Sequence, residues 1–358
     1  MPVGARAAII DGPGKAPVVR SINLANLRND EVLVRTVVTG ICHTDVAWAD
    51  GQLFDSFPVV LGHESAGVVE RVGASVSRVN RGDRVAIALT HHCGHCRYCE
   101  TGRPVLCPAR PDDPGRLWHD DRPLRQGFGT GGFAELIIVR EGSTIPVPDN
   151  VPLAAAALVG CATSTGLGAV FNIAEVGYGS SVAILGAGGV GLNVLLGCAV
   201  GGADPIVVAD PDPDRRLLAS ELGATHVIEP DERAFREISA SGYEYVFECA
   251  GRREPMELAI QLAERGGTVT LIGAPPPDVE IRINALDFVP SQKRILACET
   301  GNVRPDVDFG RYFRLYARGK LPLDRLITGT IPLDSIGSGF QLSRDHRGVR
   351  TIVQITDE

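Results

Sequence analysis

The sequence has no excess of positive charge, because 35 lysines and arginines stand against 43 aspartates and glutamates, a formal net charge of −8. Proteins that bind nucleic acid or anionic membranes usually present a basic surface, so we expect neither partner. We also find no apolar run near the ~18 residues of a membrane helix. The first residues, MPVGARAAII, lack the pattern of a signal peptide. We therefore expect a cytoplasmic protein.

Cysteine, in contrast, is well represented. The chain has nine cysteines, which a cytoplasmic protein keeps as reduced thiols. Four of them, Cys93, Cys96, Cys99 and Cys107, are closely spaced, and this spacing favours a metal site over disulfides.

The sequence pattern of the N-terminal part of the chain predicts β structure. With 44% hydrophobic and 22% charged residues, 358 residues predict two to three domain equivalents of an ordinary globular protein. Before residue 150, short β-branched runs alternate with turn signals, which predicts an antiparallel, partly barrel-like β domain. These runs are Val32–Val38, Ala66–Val72, Arg84–Leu89 and Leu136–Val139.

Beyond about residue 160, short apolar strands alternate with helices. This alternation predicts an α/β domain with a doubly wound parallel sheet and right-handed crossovers. The predicted strands are Ser181–Leu185, Ile206–Ala209, His226–Ile228, Tyr245–Glu248 and Thr268–Ile272, and the predicted helices are Val190–Val200, Asp214–Leu222 and Met256–Glu264. After residue 300 strands and helices alternate less regularly. Gly348–Ile355 is predicted as the last strand, and periodicity does not show to which domain it belongs.

A glycine-rich string follows the first of these strands and opens a helix. Its residues are Gly186, Ala187, Gly188, Gly189, Val190 and Gly191. In that context G-x-G-x-x-G indicates a dinucleotide site, where the helix N-terminus and its backbone N–H groups receive a pyrophosphate. A glycine-rich turn without a ligand is the alternative.

Asp210 ends the next strand and favours NAD. A carboxylate there can accept hydrogen bonds from the ribose hydroxyls of NAD, and it would repel the 2′-phosphate of NADP. Asp210 could also cap the following helix, Pro213–Leu222, and the two roles do not exclude each other. Arg215 and Arg216 qualify the preference, because a nearby arginine can accommodate the 2′-phosphate.

The four clustered cysteines predict a structural zinc site. Four thiolates close a tetrahedron around zinc and leave no open coordination position. An iron–sulfur cluster is the alternative, because it also uses four cysteines. His91, His92 and His95 lie nearby and are expected to be exposed loop residues. Cys198, Cys249 and Cys298 have no partner in the sequence and read as buried thiols.

A second set of metal-ligating residue types is dispersed along the chain: Cys42 in GICHTD, His63 and Glu64 in GHE, and Cys161 in VGCATSTG. Local spacing does not link these segments. Together with LGHESAGVVERVG, GDRV, the four-cysteine lobe, the glycine string and the closing GVRTIV, they resemble the zinc-dependent alcohol dehydrogenases of the medium-chain dehydrogenase/reductase family over essentially the whole chain.

The resemblance implies a fold, two domains and an assembly. A GroES-like catalytic zinc-binding domain would comprise residues 1–160 and 300–358, and a Rossmann domain that binds NAD(H) would comprise residues 161–299. The family also implies two zinc ions per chain, one catalytic and one structural, and a homodimer or homotetramer.

The resemblance further implies roles for single residues. Cys42, His63 and Cys161 match the ligands of the catalytic zinc, with a fourth position left for water or substrate oxygen. Asp45 matches the carboxylate that fixes the tautomer of the zinc-bound imidazole, Glu64 a carboxylate that approaches the metal during ligand exchange, and Thr44 the hydroxyl that takes the proton of the alcohol.

Other matches concern the cofactor. His43 matches a position that contacts the cofactor pyrophosphate or assists proton exit. Arg350, in GVRTIV, matches an arginine that reaches the phosphates, and Thr165 and Gly166 match contacts to the nicotinamide ring.

The sequence departs from the family at two positions. Many members carry a histidine of a proton relay five residues after the first zinc cysteine, and this chain has Ala47 there. Leu89 occupies a pocket position that is often aromatic, which suggests room for a bulky or aromatic substrate. Residues 109–128, rich in proline and charge, either line the mouth of the pocket or cap the surface.

The function predicted is hydride transfer between NAD(H) and an alcohol/aldehyde or ketone pair. Within enzymes, the alternatives are a zinc-dependent reductase of C=N or C=C bonds, which Ala47 would suit, and a thiol-adduct formaldehyde dehydrogenase. Outside enzymes, the alternative is an NAD-binding structural or sensor protein. Such a protein would have no need for all three zinc ligands and Thr44.

Overall fold

A computed structural model describes residues 3–90, 92–109 and 116–358. Its strands are β1 (Val3–Ile10), β2 (Val18–Leu24), β3 (Glu31–Ile41), β4 (Val59–Val60), β5 (Glu64–Val72), β6 (Arg84–Ile87), β7 (Leu117–His119), β8 (Arg122–Gln126), β9 (Leu136–Arg140), β10 (Thr144–Pro146), β11 (Val182–Leu185), β12 (Ile206–Ala209), β13 (His226–Ile228), β14 (Tyr243–Glu248), β15 (Ala263–Leu271), β16 (Arg294–Ala297), β17 (Ile327–Pro332) and β18 (Arg350–Gln354). Its α-helices are α1 (His43–Ala49), α2 (Arg97–Glu100), α3 (Leu153–Leu158), α4 (Ser164–Gly168), α5 (Gly189–Gly201), α6 (Pro213–Glu221), α7 (Glu232–Ile238), α8 (Arg253–Leu262), α9 (Ala285–Ser291), α10 (Pro305–Ala317) and α11 (Ile336–Arg344).

The chain divides into two compact units. Unit 1 comprises Met1–Cys161 and Arg304–Glu358, and unit 2 comprises Ala162–Val303. The last strand, β18, pairs antiparallel with β3, so the C-terminal segment completes a sheet of unit 1.

Unit 1 is built from two sheets. Strands β1, β2, β7, β8 and β4 close a small barrel, and β10, β6, β5, β3, β18 and β17 form a second sheet in that order, with β9 also paired to β3. Strand β3 is buried along nearly its whole length because it pairs with β5, β9 and β18. Its central position explains its almost continuous run of apolar and small residues.

The prediction of an antiparallel β domain before residue 150 needs correction at one pair, and the C-terminal strands, for which no direction was predicted, add a second parallel pair. Strand β4 pairs with β8 in parallel, and β17 pairs with β18 in parallel. A parallel pair needs a crossover connection, and α11 provides it between β17 and β18. Neither pair carries a sequence signal strong enough to reveal its direction, because β4 has two residues and β17 contains a Gly and a Pro.

Unit 2 is a doubly wound sheet. Its six strands lie in the order β13, β12, β11, β14, β15, β16, and all five pairs are parallel. This is the strand order of Rossmann folds, in which ligands bind beyond the carboxyl ends of the central strands. The predicted fold class, a GroES-like β domain with a Rossmann domain, is confirmed.

The expectation that no apolar run approaches 18 residues is wrong for one segment. Residues Leu153–Ala174 form a continuous helical stretch of 22 residues with a mean hydropathy of 1.6, long and apolar enough to cross a membrane. It combines α3 and α4 with two wider, π-helical turns, Val159–Thr163 and Ala169–Ala174. The most apolar 18 consecutive residues of this stretch are 94% buried within the protein. A helix in a protein core can have the same length and composition as a membrane helix.

Candidate functional site

Cys42 sits at a sharp transition from strand to helix. Strand β3 ends at Ile41, and Cys42, in an extended conformation, precedes the first turn of α1. The carboxylate of Asp45 accepts the backbone N–H of Cys42 at 3.1 Å and satisfies one of the free donors at the helix start. The turn therefore fixes the direction of the Cys42 side chain.

Asp45 is fully buried and connects three segments. Besides Cys42, it accepts the backbone N–H of Gly62 at 3.0 Å and contacts His63 Nδ1 at 2.9 Å. Because Nδ1 donates to this carboxylate, His63 Nε2 is the ring nitrogen left available to a metal ion. His63 Nε2 is buried and has no hydrogen-bond partner among the described residues.

The dispersed ligands predicted from the sequence come together in unit 1. One ligand atom from each of Cys42, His63, Glu64 and Cys161 lies within 4.8 Å of the others, and all four residues are buried. Two thiolates and an imidazole form a usual donor set for a catalytic zinc. The unpartnered His63 Nε2 fits the same group, because a buried imidazole nitrogen without a partner is otherwise costly.

The residues of this cluster shift one another's pKa values. The hydrogen bond between the Cys161 and Cys42 thiols lowers the pKa of Cys42 well below its ordinary value and raises that of Cys161. Burial lowers the pKa of His63, but the charges of Asp45 and Cys42 outweigh it and raise that pKa. Burial raises the pKa of Glu64 to about 7.

Arg350 pairs with Glu64 at the edge of the cluster. Arg350 Nε lies 3.2 Å from Glu64 Oε2, and its Nη1 donates to the Ile41 carbonyl at 2.7 Å. A Cβ on Gly40 would lie 2.4 Å from Glu64 Oε2, so a side chain at this position would displace the Glu64 carboxylate. Sequence reasoning missed this ion pair, and the expected contact of Arg350 with cofactor phosphates stays a prediction.

Thr44 and His43 are more accessible than Asp45. Thr44 is half-buried, with its Oγ1 3.5 Å from Cys42 Sγ, and exposed His43 stacks on His346 with ring centroids 5.8 Å apart. Ala47, the departure from the relay histidine, is only 7% exposed.

Three aromatic side chains that the sequence did not single out pack on one another beside His63, and one of them, Phe128, contacts it. The Phe128 ring meets His63 edge-on at 4.7 Å between centroids, Trp48 packs on Phe128 at 4.8 Å, and Phe54 lies 4.5 Å from Trp48. Only the tertiary fold brings these residues together, so no local pattern could have found them.

The Sγ atoms of the four clustered cysteines all lie within 4.8 Å of one another. The Sγ–Sγ distances are 3.5 Å for Cys96–Cys99, 3.8 Å for Cys96–Cys107 and 3.9 Å for Cys93–Cys99. A tetrahedron with zinc–sulfur bonds of about 2.3 Å has edges of roughly 3.8 Å. These spacings fit a single ion, and they leave no room for a cluster of several iron and sulfide ions.

The neighbouring histidines differ from one another. His92 is not an exposed loop residue as expected, because its side chain is 14% exposed and its Nε2 lies 3.9 Å from Asp306 Oδ2. His95 is exposed, and its Nδ1 lies 2.8 Å from the Cys93 carbonyl oxygen. His91 and residues 110–115 of the segment 109–128 lie outside the described residues.

The glycine string in unit 2 has the geometry of a phosphate-binding turn. Gly186 follows β11 with φ +101°, and Gly188 precedes α5. A Cβ on Gly191 would lie 1.8 Å from the Gly186 carbonyl oxygen, whereas a Cβ on Gly188 would meet open space. The turn is therefore tightly packed between Gly186 and Gly191. Its open side lies at Gly188 and the first turn of α5, where Gly189 and Val190 lie.

Asp210 is tied to this turn. Its Oδ2 accepts the Ala187 N–H at 2.7 Å, and its Oδ1 accepts the Asp212 N–H at 2.9 Å. The alternative role of Asp210 as a helix cap is wrong, since the side chain of Asp212 caps α6. Each oxygen of Asp210 keeps a second lone pair for a ribose hydroxyl.

The remaining predicted cofactor residues are packed within unit 2. Arg215 Nε lies 3.9 Å from Asp212 Oδ2, and Arg216 donates to the Asp210 carbonyl at 2.7 Å. Thr165 is buried in α4, and a Cβ on Gly166 would lie 2.5 Å from Asn193 Cβ. Their contacts with a cofactor stay predictions.

Glu248 is a buried carboxyl that sequence reasoning also missed. It ends β14, and its Oε1 accepts the N–H groups of Ala250 and Gly251 at 2.7 and 2.8 Å. Burial raises its pKa and those of the nearby Cys249 and Cys298 thiols.

Comparison with known proteins agrees with this geometry. The chain matches the family description "Alcohol dehydrogenase GroES-like domain" over residues 28–149 and "Zinc-binding dehydrogenase" over residues 189–316. It is 34% identical to a geraniol dehydrogenase of Castellaniella defragrans over 91% of both chains. It is also 34% identical to an S-(hydroxymethyl)glutathione dehydrogenase of Photobacterium damsela subsp. piscicida over 97% of this chain and 99% of the relative.

A solved structure supports the same likeness. The benzyl alcohol dehydrogenase of Acinetobacter calcoaceticus is 30% identical and superposes with a TM-score of 0.93, covering 99% of this chain and all of its own.

Proposed function

The chain belongs to the zinc-dependent alcohol dehydrogenases of the medium-chain dehydrogenase/reductase family, and from this premise we propose that it transfers hydride between NAD(H) and an alcohol/aldehyde or ketone pair. The observation that carries the proposal is the convergence of Cys42, His63 and Cys161, with His63 Nε2 buried and unpartnered among the described residues. A binding or sensor protein would have no need for this donor set.

We propose that two zinc ions bind per chain. Cys42, His63 and Cys161 would hold the catalytic ion, and Cys93, Cys96, Cys99 and Cys107 the structural one. When bound, zinc supplies a Lewis acid that lowers the pKa of an alcohol hydroxyl, while NAD⁺ accepts the hydride of the carbinol carbon.

The protein's own groups would position the substrate and move its proton. Thr44 Oγ1, beside Cys42 Sγ, would receive the hydroxyl proton and pass a proton towards exposed His43. Asp45 would hold the His63 ring in the tautomer that coordinates through Nε2. Glu64, balanced by Arg350, would remain available to approach the metal during ligand exchange.

The proposed cofactor is NAD(H). The backbone of Gly188, Gly189 and Val190 would receive the pyrophosphate at the start of α5, while Gly191 lets the helix pack closely on the Gly186 turn. Asp210 would accept the ribose hydroxyls. The same carboxylate would repel the 2′-phosphate of NADP.

The proposed substrates are bulky or aromatic alcohols. Leu89 is half-buried at a position that is often aromatic, and two proteins similar to this chain are named for geraniol and benzyl alcohol. A second candidate is oxidation of a hydroxymethyl thiol adduct, which the relative named for S-(hydroxymethyl)glutathione favours. We also propose a cytoplasmic homodimer or homotetramer, which a measurement of solution mass would test.

The decisive experiment replaces Cys161 with Ala. Alcohol oxidation followed by NADH absorbance should fall by more than about a hundredfold, since loss of an outer partner of a ligand alone costs 10–100-fold. NADH binding, measured by fluorescence, should persist.

Cys198→Ala is the matched control, because Cys198 is also a buried thiol, lies in unit 2 and belongs to neither metal cluster. Undiminished alcohol turnover by Cys161→Ala would contradict the proposal. A panel that includes S-(hydroxymethyl)glutathione separates the two candidate functions.

A further inference from the structure

The apolar helix α5 contains one amide side chain. Asn193 is fully buried, in a stretch from Gly191 to Cys198 that is otherwise apolar. Its Nδ2 donates to the Gly189 carbonyl oxygen at 2.7 Å. The NH₂ group must be the part of the amide that faces Gly189, because an amide oxygen there would repel the carbonyl. Asn193 is therefore a side-chain donor to the first residue of the helix.

The Gly189 carbonyl is held by two donors. In an α-helix the N–H of residue i+4 donates to the carbonyl of residue i, so the backbone N–H of Asn193 points to the same oxygen as its side chain. A peptide group is planar and trans, so its C=O and its N–H point in opposite directions. Because the Gly189 carbonyl is directed along the helix, the Val190 N–H of the same peptide group is directed out of the start of α5.

The start of α5 has N–H groups to offer a ligand. No side chain caps the helix at Gly188, and the N–H groups of a first turn have no acceptor within their own helix. Gly188, Gly189 and Val190 are half-buried and lie on the open side of the glycine turn. These residues are the ones proposed to receive the pyrophosphate, so the direction of the Val190 N–H bears directly on cofactor binding.

Stability alone does not explain an asparagine at this position. Asn193 Oδ1 is buried and has no hydrogen-bond partner among the described residues. An unpaired buried acceptor destabilises a folded protein, and a leucine, which has as many side-chain heavy atoms, would fill the same space without that cost. Exceptions of this kind to the rules of stable packing are expected at functional sites.

Helix α4 packs directly on α5 at Asn193. A Cβ on Gly166 would lie 2.5 Å from Asn193 Cβ and 2.7 Å from the Val194 backbone nitrogen. This close approach limits movement of the α5 backbone at Asn193. The side chain therefore extends towards Gly189 from a fixed point.

We propose that Asn193 is a positioning residue for NAD(H), which directs the Val190 N–H at the cofactor pyrophosphate by holding the Gly189 carbonyl. The second hydrogen bond to that carbonyl also polarises the peptide group and strengthens its N–H as a donor. This inference rests on the proposed function, because it concerns the cofactor proposed there.

The variant Asn193→Leu removes the side-chain donor and keeps the size of the side chain. We expect the Kd for NADH, measured by nicotinamide fluorescence, to rise about threefold to tenfold, the usual effect of one hydrogen bond. The Tm should stay equal or rise, because the unpaired Oδ1 is removed.

The variant Asn193→Ser should give the opposite pair of results. A serine hydroxyl within a helix can donate to the carbonyl four residues earlier, so the Kd for NADH should stay within about twofold of that of the unsubstituted protein. The smaller side chain leaves a cavity, so the Tm should fall. A merely structural role of Asn193 would make affinity and stability fall together.

Cys198→Ala is the matched control for these two variants. Cys198 is fully buried in the second half of α5 and is remote from the glycine turn in the helix. Its replacement should leave the Kd for NADH unchanged.

Fragments of the cofactor locate the effect. ADP-ribose contains the pyrophosphate, whereas adenosine has no phosphate, and the affinity of each is measured by competition with NADH. Asn193→Leu should weaken the binding of ADP-ribose by the same factor as that of NADH, and it should leave the binding of adenosine unchanged.

The outcomes separate this inference from the proposed function. The inference is overturned if Asn193→Leu binds NADH as tightly as the unsubstituted protein, if Asn193→Ser loses as much affinity as Asn193→Leu, or if adenosine is weakened as much as ADP-ribose. In each of these cases the proposed function stands. If the unsubstituted protein binds no NADH, the proposed cofactor itself fails.

Discussion

Replacement of Asp45 by Asn tests whether the Asp45 carboxylate positions Cys42 and His63 in the proposed metal site of unit 1. The substitution keeps the shape of the side chain but exchanges one carboxylate oxygen for an NH₂ group and removes the charge. Oδ1 contacts the Gly62 N–H and His63 Nδ1, and Oδ2 accepts the Cys42 N–H. Asn can keep the first two contacts, but its NH₂ then faces the N–H of Cys42.

Two effects follow from this geometry. A buried N–H left without an acceptor costs about 1–3 kcal/mol of folding free energy. Loss of the carboxylate behind a metal-ligating histidine typically weakens metal binding 10–100-fold, or about 1.4–2.7 kcal/mol. We therefore expect zinc at Cys42, His63 and Cys161 to be released at lower chelator concentration while the chain remains folded.

The assay is competition with a chromophoric chelator, with zinc at Cys93, Cys96, Cys99 and Cys107 as an internal reference. Asp50→Asn is the matched control, because Asp50 follows the same helix and pairs with Arg344 at 2.7 Å rather than with His63. Unchanged release from the first site, or equal weakening at both sites, would refute the assigned role of Asp45.

Three further substitutions test the remaining sites. Cys99→Ser should remove zinc from the four-cysteine site and lower the apparent Tm by several degrees, and a strong chelator should abolish its difference from the unsubstituted protein. Asp210→Gly should shift the NAD-to-NADP ratio of kcat/KM at least about tenfold, whereas Asp212→Ala should cost about 1 kcal/mol through lost capping of α6 and leave that ratio unchanged. Glu248→Ala should cost about 2–4 kcal/mol in denaturant unfolding, because the Ala250 and Gly251 N–H groups lose their acceptor, and Glu248→Gln should recover most of it.

The sequence was sufficient to predict the fold where the signal is local. Strand β11, the glycine string and α5 are consecutive, so periodicity and the special needs of Gly186 and Gly191 indicate the Rossmann unit directly. The four-cysteine site is equally local, because all four ligands lie within one short segment. Their Sγ atoms lie close together, as the short spacing of the four cysteines in the sequence predicts.

Other features depend on contacts distant in sequence. The helical stretch Leu153–Ala174 mixes glycine and threonine with apolar residues, so its periodicity is weak, and its burial becomes apparent only in the structure. The proposed ligands Cys42, His63 and Cys161 follow no spacing rule, and only the family resemblance related them. Phe54 and Phe128 escaped even that reasoning, because their meeting at Trp48 is a property of tertiary packing.

Hydrogen bonding shows why the cluster in unit 1 is better explained by a bound ligand than by stability alone. Buried ionisable groups are costly, and well-packed apolar residues often stabilise a fold as much as a buried ion pair does. Asp45 is buried with three donors around it, so its cost is largely offset. His63 Nε2 and the Glu64 carboxylate lack hydrogen-bond partners among the described residues, although Arg350 lies close to Glu64. Asp45 is fully hydrogen-bonded, whereas the neighbouring His63 Nε2 and Glu64 oxygens are not. The hydrogen bonds of Asp45 therefore serve to position these atoms. Those atoms face the two thiols, where a metal ion would supply the missing partner.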